Sequence, residues 1–183
     1  MKYILSTLLA MSFTWASAQV GDVFPLMEGE SLRYDTVNIP ADLNGKYSLI
    51  ALAFSKKSEE DLGSWFNPMY NQFLVEPDPN AFFSFEYDLN LYIIPMFTGA
   101  KRAAYKSTMR KVQETVAPEL QPYVLFYKGT LKDYKEALNF DGKDLPYFYV
   151  LDPEGKIIYT TSGKYSRTKM QEIVDILEPA AKD

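Results

Sequence analysis

Residues Ser48–Phe73, SLIALAFSKKSEEDLGSWFNPMYNQF, decide how the rest of the chain is read. Leu49 to Phe54 is a continuous apolar run of strand length, the pattern of a strand covered on both faces. It ends in the polar turn Ser55–Ser58 and passes into a helical pattern. There Leu62, Trp65, Phe66, Met69, Tyr70 and Phe73 recur at steps of three and one. The spacing predicts one amphipathic helix reaching Phe73, kinked by Pro68. A strand that feeds a helix through a short turn aims unpaired N–H groups and a positive dipole end at one point, which is where many α/β proteins place their chemistry.

Two absences restrict what that point can do. None of the 183 residues is Cys, which excludes disulfides, thiol nucleophiles, thiolate metal sites and a lipidated Cys. None is His, which excludes Ser-His-Asp catalysis, imidazole-bound metals and the usual general base near neutral pH. A net charge of −5 without a basic stripe argues against nucleic acid as a partner. With 47% apolar residues, the chain is globular and has the length of one domain.

The remaining segments follow in order. Met1–Ala18, with Lys2, a dozen apolar residues and Ala16-Ser17-Ala18, has the form of a cleaved signal peptide. The expectation is an exported protein, periplasmic or extracellular, with residues 19–183 as a single domain and no stable membrane span. Gly21–Leu26 reads as an extended arm, Leu32–Ile39 as an edge strand and Asn44-Gly45 as a turn. Glu76–Asn80 is a breaker-rich loop, and most of Phe82–Met96 should form a second core strand. Gly99–Ala117 reads as a basic amphipathic helix carrying Lys101, Arg102, Lys106, Arg110 and Lys111. Tyr123–Tyr127 is a short strand, Thr130–Leu138 a helix capped by Thr130, and Asp141–Asp144 a turn. Tyr147–Leu151 and Lys156–Thr161 form a hairpin about Asp152–Gly155, and a helix from about Arg167 to Glu178 buries Met170, Ile173, Val174 and Leu177.

This order of elements resembles the thioredoxin-like superfamily. The Gly21–Leu26 arm and the Leu43-Asn44-Gly45-Lys46 turn into Leu49–Phe54 resemble the start of its exported thiol–disulfide oxidoreductase and peroxiredoxin-related branch. Leu145-Pro146 through Asp152-Pro153-Glu154-Gly155-Lys156-Ile157, followed by Gly163, resembles that branch's proline-led hairpin. The resemblance implies an α/β fold: a central mixed β-sheet flanked by helices, with a C-terminal β-hairpin and helix. It also implies a site at the first helix N-terminus beside a proline loop, with Pro146 at the cis-proline position. The family's cysteines would fall within Ser58–Gly63, where none is present, so redox activity does not carry over. Ala53-Phe54-Ser55, Trp65-Phe66-Asn67-Pro68 and the long segment before the hairpin are more weakly similar to thioredoxin-fold ATP synthase assembly factors, which are assembly chaperones.

The acidic run at the turn has a structural explanation of its own. Ser58 followed by Glu59, Glu60 and Asp61 reads as a helix cap whose acids complement the dipole. The competing reading makes those acids a general base or hard-metal ligands of a hydrolase, but neighbours on a helix diverge and the dipole lowers their pKa values. The leading expectation is a non-catalytic, cofactor-free domain binding a protein or peptide partner at a groove between Ser58, Glu59, Glu60, Asp61 and Leu145-Pro146. A further alternative is a structural component of an envelope complex, contacting its neighbour through the Lys101–Lys111 helix.

Overall fold

In a computed structural model, residues 20–75, 86–140, 142 and 144–182 are described. The leader at 1–18, the Glu76–Asn80 loop, Phe82–Phe85, Asp141 and Lys143 lie outside them. The central strand is β3 (Ser48–Ala53), in which every residue is buried. Its side chains alternate between two cores, as a pleated strand requires. Leu49, Ala51 and Ala53 face one core, Ile50 and Leu52 the other.

Around β3 a seven-stranded mixed sheet is ordered β2-β1-β6-β5-β3-β7-β8. Its other strands are β1 (Met27–Ser31), β2 (Thr36–Ile39), β5 (Asn90–Thr98), β6 (Leu125–Gly129), β7 (Tyr147–Leu151) and β8 (Ile157–Ser162). β5 runs parallel to β3 and β6, while β7 is antiparallel to β3 with Leu49 opposite Val150. A separate ribbon pairs β4 (Glu86–Tyr87) with β9 (Ala181–Lys182). The expected mixed sheet with a C-terminal hairpin and helix is present, and β7 has the expected bounds. The predicted edge strand becomes a hairpin, because Tyr34 turns at positive φ between β1 and β2.

One face of the sheet carries α1 (Lys56–Gly63), α2 (Phe66–Phe73), α3 (Tyr105–Thr115) and α5 (Arg167–Leu177); the other carries α4 (Lys132–Ala137). Four expectations need correction. The helix after β3 is two helices, broken at Ser64-Trp65, and Pro68 sits in the first turn of the second. There its missing N–H is one that the helix would leave unpaired anyway, so it produces no kink. The basic helix begins as a 3₁₀ turn over Gly99–Ala104 before α3. α4 starts after Leu131 with no side-chain cap, so Thr130 does not cap it. Finally, the cis X-Pro bond among the described residues is Ile39–Pro40, and Leu145–Pro146 is trans. The Gly21–Leu26 arm docks on the hairpin turn, Phe24 N–H donating to the Gly155 carbonyl at 2.9 Å. Gly155 is required there: its φ is +78° and a Cβ would stand 2.5 Å from Pro40 Cβ.

Candidate functional site

The end of β3 and the start of α1 are joined by two serines. Ser55, in extended conformation, is the N-cap and accepts from Ser58 N–H at 3.0 Å. Ser58 Oγ accepts in return from Ser55 N–H at 2.9 Å and from Phe54 N–H at 3.1 Å, closing a capping box. The helix thus starts three residues earlier than the acidic run implied. Ser58 lies inside its first turn, fully buried, and Glu59, Glu60 and Asp61 continue around the helix.

The three acids diverge, as 100° steps dictate. Glu59 forms an ion pair with Lys101 of the 3₁₀ turn. Glu60 is exposed to solvent. Asp61 is buried and receives Lys57 Nζ at 2.7 Å, with Lys164 Nζ at 3.7 Å. The Lys57 hydrogen bond, then the charges of Lys57 and Lys164, hold the Asp61 carboxyl below the usual carboxylate value, although burial opposes this. Lys57 is raised in return, chiefly by the Asp61 hydrogen bond. A base held further from neutrality is poorly placed for proton transfer at pH 7. Among the described residues, no group of three or more acidic side chains converges as a metal site.

Leu145 and Pro146 stand in the same corner. Asp144 adds to the field at Lys57, Leu145 is half-buried and Pro146 is buried. The loop after β8 lies between them and α1. Gly163 N–H donates to the Pro146 carbonyl at 2.9 Å, and its own carbonyl accepts the Trp65 indole N–H at 2.9 Å. Tyr165 N–H donates to Ser64 Oγ at 3.0 Å. The structure therefore brings the sequence-predicted residues together, but Gly163–Tyr165 bridges them. Parts reaching solvent include Glu60, part of Glu59, half of Leu145 and the exposed heads of Lys57 and Lys164.

A second concavity was not anticipated from sequence. Between α2 and α3, a cavity of about 640 Å³ opens over the sheet. Its floor is the alternate-residue face of β5, Leu91, Ile93, Pro95 and Phe97. Its walls are Phe66, Met69 and Tyr70 on one side and Thr108, Val112, Thr115 and Val116 on the other. The Glu59–Lys101 ion pair stands beside it, with Lys101 also 5.6 Å from the Phe97 ring centroid. The period-2 apolar residues of β5 and the four-residue spacing of Phe66 and Tyr70 were legible in the sequence, but not that they would meet around one cavity.

A protein-family model described as "ATP10 protein" matches residues 14–178. No curated protein matches the chain in sequence. Among solved structures, one described as a thiol:disulfide interchange protein DsbE from Chlorobium tepidum is 13% identical, with a TM-score of 0.56 over 90% of this chain and 99% of its own. Yeast Sco1 is 18% identical, with a TM-score of 0.51 over 89% of this chain and 99% of its own. BsSco, described as a member of the Sco family of cytochrome c oxidase assembly proteins, is 12% identical, with a TM-score of 0.54 over 86% and 92%. At these identities the likeness establishes the thioredoxin-like fold.

Proposed function

The chain belongs to the ATP10 protein family, and from that premise we propose that it is a non-redox assembly factor that binds a protein or peptide partner in the cell envelope. The observation that carries this reading is what occupies the N-terminal end of α1. Relatives of this fold include thiol–disulfide proteins, and here that end holds a closed serine capping box with no thiol anywhere in the chain. Without a sulfur to exchange, what the scaffold keeps is its surface. Membership in the family supports a protein as the partner, and the described Sco relative is an assembly protein. The partner contacts the corner made by Ser58–Asp61 and Leu145-Pro146, through Glu60, Lys57 and Leu145. The domain spans 19–183 behind a leader at 1–18 that directs export. Among the described residues, no helix is long and apolar enough to cross a membrane.

The test is affinity capture of the tagged mature protein from its native envelope fraction. A partner retained by wild type and lost by Leu145→Asp, with the variant's melting temperature unchanged, is the expected result. No captured partner, together with hydrolytic turnover that Glu60→Gln abolishes, would overturn the reading.

A further inference from the structure

We propose that a polar cavity on the β7–β8 hairpin, closed on one side by Lys169, binds a small hydroxylated carboxylate of the sugar-acid kind. The site uses none of the side chains of the partner corner and does not depend on that reading.

The hairpin's register builds the floor. Tyr147 lies opposite Ser162 and Tyr149 opposite Thr160. Side chains alternate along each strand, so these four share one face of the hairpin. It is the face turned to α4, where both tyrosines are buried in the same core as Leu138. The Tyr149 hydroxyl donates to the Leu138 carbonyl at 3.0 Å and the Tyr147 hydroxyl to the Gly142 carbonyl at 2.8 Å. Asn139, left-handed at φ +46°, follows α4 directly. β8 is the last strand of the sheet, so no further strand lies beside Thr160 and Ser162. These residues and Lys169 line a cavity of about 350 Å³, within the roughly 300–1,000 Å³ of small-molecule sites.

The polar groups around it point to the ligand. Lys169 belongs to α5, on the opposite face, and its half-buried side chain reaches the loop after β8. There Nζ donates to the Ser162 carbonyl at 2.6 Å and the Lys164 carbonyl at 3.3 Å. It packs on Gly163, where a Cβ would stand 3.5 Å away. The two carbonyls fix the ammonium without neutralising it, and one of its N–H donors is left over. Lys169 forms no ion pair among the described residues, and none of their carboxylates lines the cavity. The Thr160 and Ser162 hydroxyls and the Asn139 amide make no side-chain hydrogen bond among the described residues. A carboxylate answers one positive charge with one negative and accepts at both oxygens, whereas a phosphate group brings further charge that nothing here meets. Ligand hydroxyls suit Thr160, Ser162 and Asn139, which both donate and accept. Because Lys169 is already held, little of its freedom is lost on binding.

The experiment titrates the isotope-labelled mature chain with sodium gluconate at constant ionic strength and follows the amide chemical shifts of Ser162, Gly163 and Lys169. Saturable shifts are the expected result. Sorbitol has the same carbon skeleton without the carboxylate, and acetate has the carboxylate without the hydroxyls. Each should bind at least about tenfold more weakly. Lys169→Met should weaken gluconate binding by about tenfold or more, and the isosteric Thr160→Val by about threefold. Thr160→Val keeps both carbonyl contacts of Lys169 and carries the test if Lys169→Met fails to fold. The absence of saturable shifts overturns the proposal, as does binding of sorbitol, acetate or inorganic phosphate as tight as that of gluconate. So does undiminished gluconate binding by either variant.

Discussion

Trp65 and Phe66 are adjacent in the chain and belong to two surfaces built on opposite principles. Trp65 is fully buried, tilted against Phe148 at 4.2 Å between ring centroids, with its N–H donated to the Gly163 carbonyl. It is the pivot of the corner where α1, Pro146 and the Gly163–Tyr165 loop meet. There the inward polar groups are paired: Ser58 with two backbone N–H groups, Asp61 with two lysines, Pro146 with Gly163. Phe66 opens the other way, onto a cavity with mostly apolar walls. The first region is where thioredoxin-like architecture would put a reaction, and in this chain its polar groups are spent on holding the structure together. The second is lined mainly by apolar side chains, with Phe66 and Tyr70 left exposed at its rim. A paired site resists change, whereas an exposed apolar surface is available to a neighbour.

Substitutions on either side of that boundary should behave differently, and the largest contrast is between these neighbours. Trp65→Ala should cost about 3–5 kcal/mol in urea unfolding, since it removes a buried ring and orphans the Gly163 carbonyl. Next is Ser58→Ala, which strips the acceptor from the Phe54 and Ser55 N–H groups inside the first turn. A loss of about 1–2 kcal/mol is expected by the same measurement. Phe66→Ala should stay within about 0.5 kcal/mol, because its side chain is already at the rim. A cost for Phe66→Ala close to that for Trp65→Ala would erase the distinction between the two regions.

The smallest effect tests the ion pair that closes the corner. Asp61 has a depressed folded-state pKa, so its contribution is present above the ordinary value of about 3.9 and is lost as pH falls through the lowered one. Lys57 is raised, so its share is present below about 10.4 and is lost only as pH rises through the higher folded value. Melting temperatures of wild type and Asp61→Asn should therefore differ by a constant amount across neutral pH. The curves should converge below about pH 4, and the gap should narrow in high salt because the Lys57 head is exposed. A gap that persists at low pH would assign the effect to packing.

Much of this architecture was legible from residue order. Leu49–Phe54 and Tyr147–Leu151 are apolar runs that tolerate no exposed face, and Met170, Ile173 and Leu177 mark one side of a helix, so β3, β7 and α5 were placed close to where they occur. Local periodicity carries that information because burial acts on every turn or pleat. The site was only half legible. Ser58, Glu59, Glu60 and Asp61 were read as a helix cap, but two serines competed for the cap. Ser55 holds it because Ser58, one turn on, can bond back to it and to Phe54. The break at Ser64-Trp65 was hidden because Leu62, Trp65, Met69 and Phe73 keep helical spacing across it.

By itself, then, the sequence determined the strand–helix scaffold and the loss of sulfur and imidazole chemistry, because composition and short-range periodicity are properties of the chain. The tertiary structure alone decided which surface is closed and which is open. Lys164 reaches Asp61, and Gly163 takes the Trp65 N–H from 98 residues away. β5 comes to floor a cavity between α2 and α3. Those arrangements depend on segments that meet only when the sheet assembles, and no local pattern encodes the meeting.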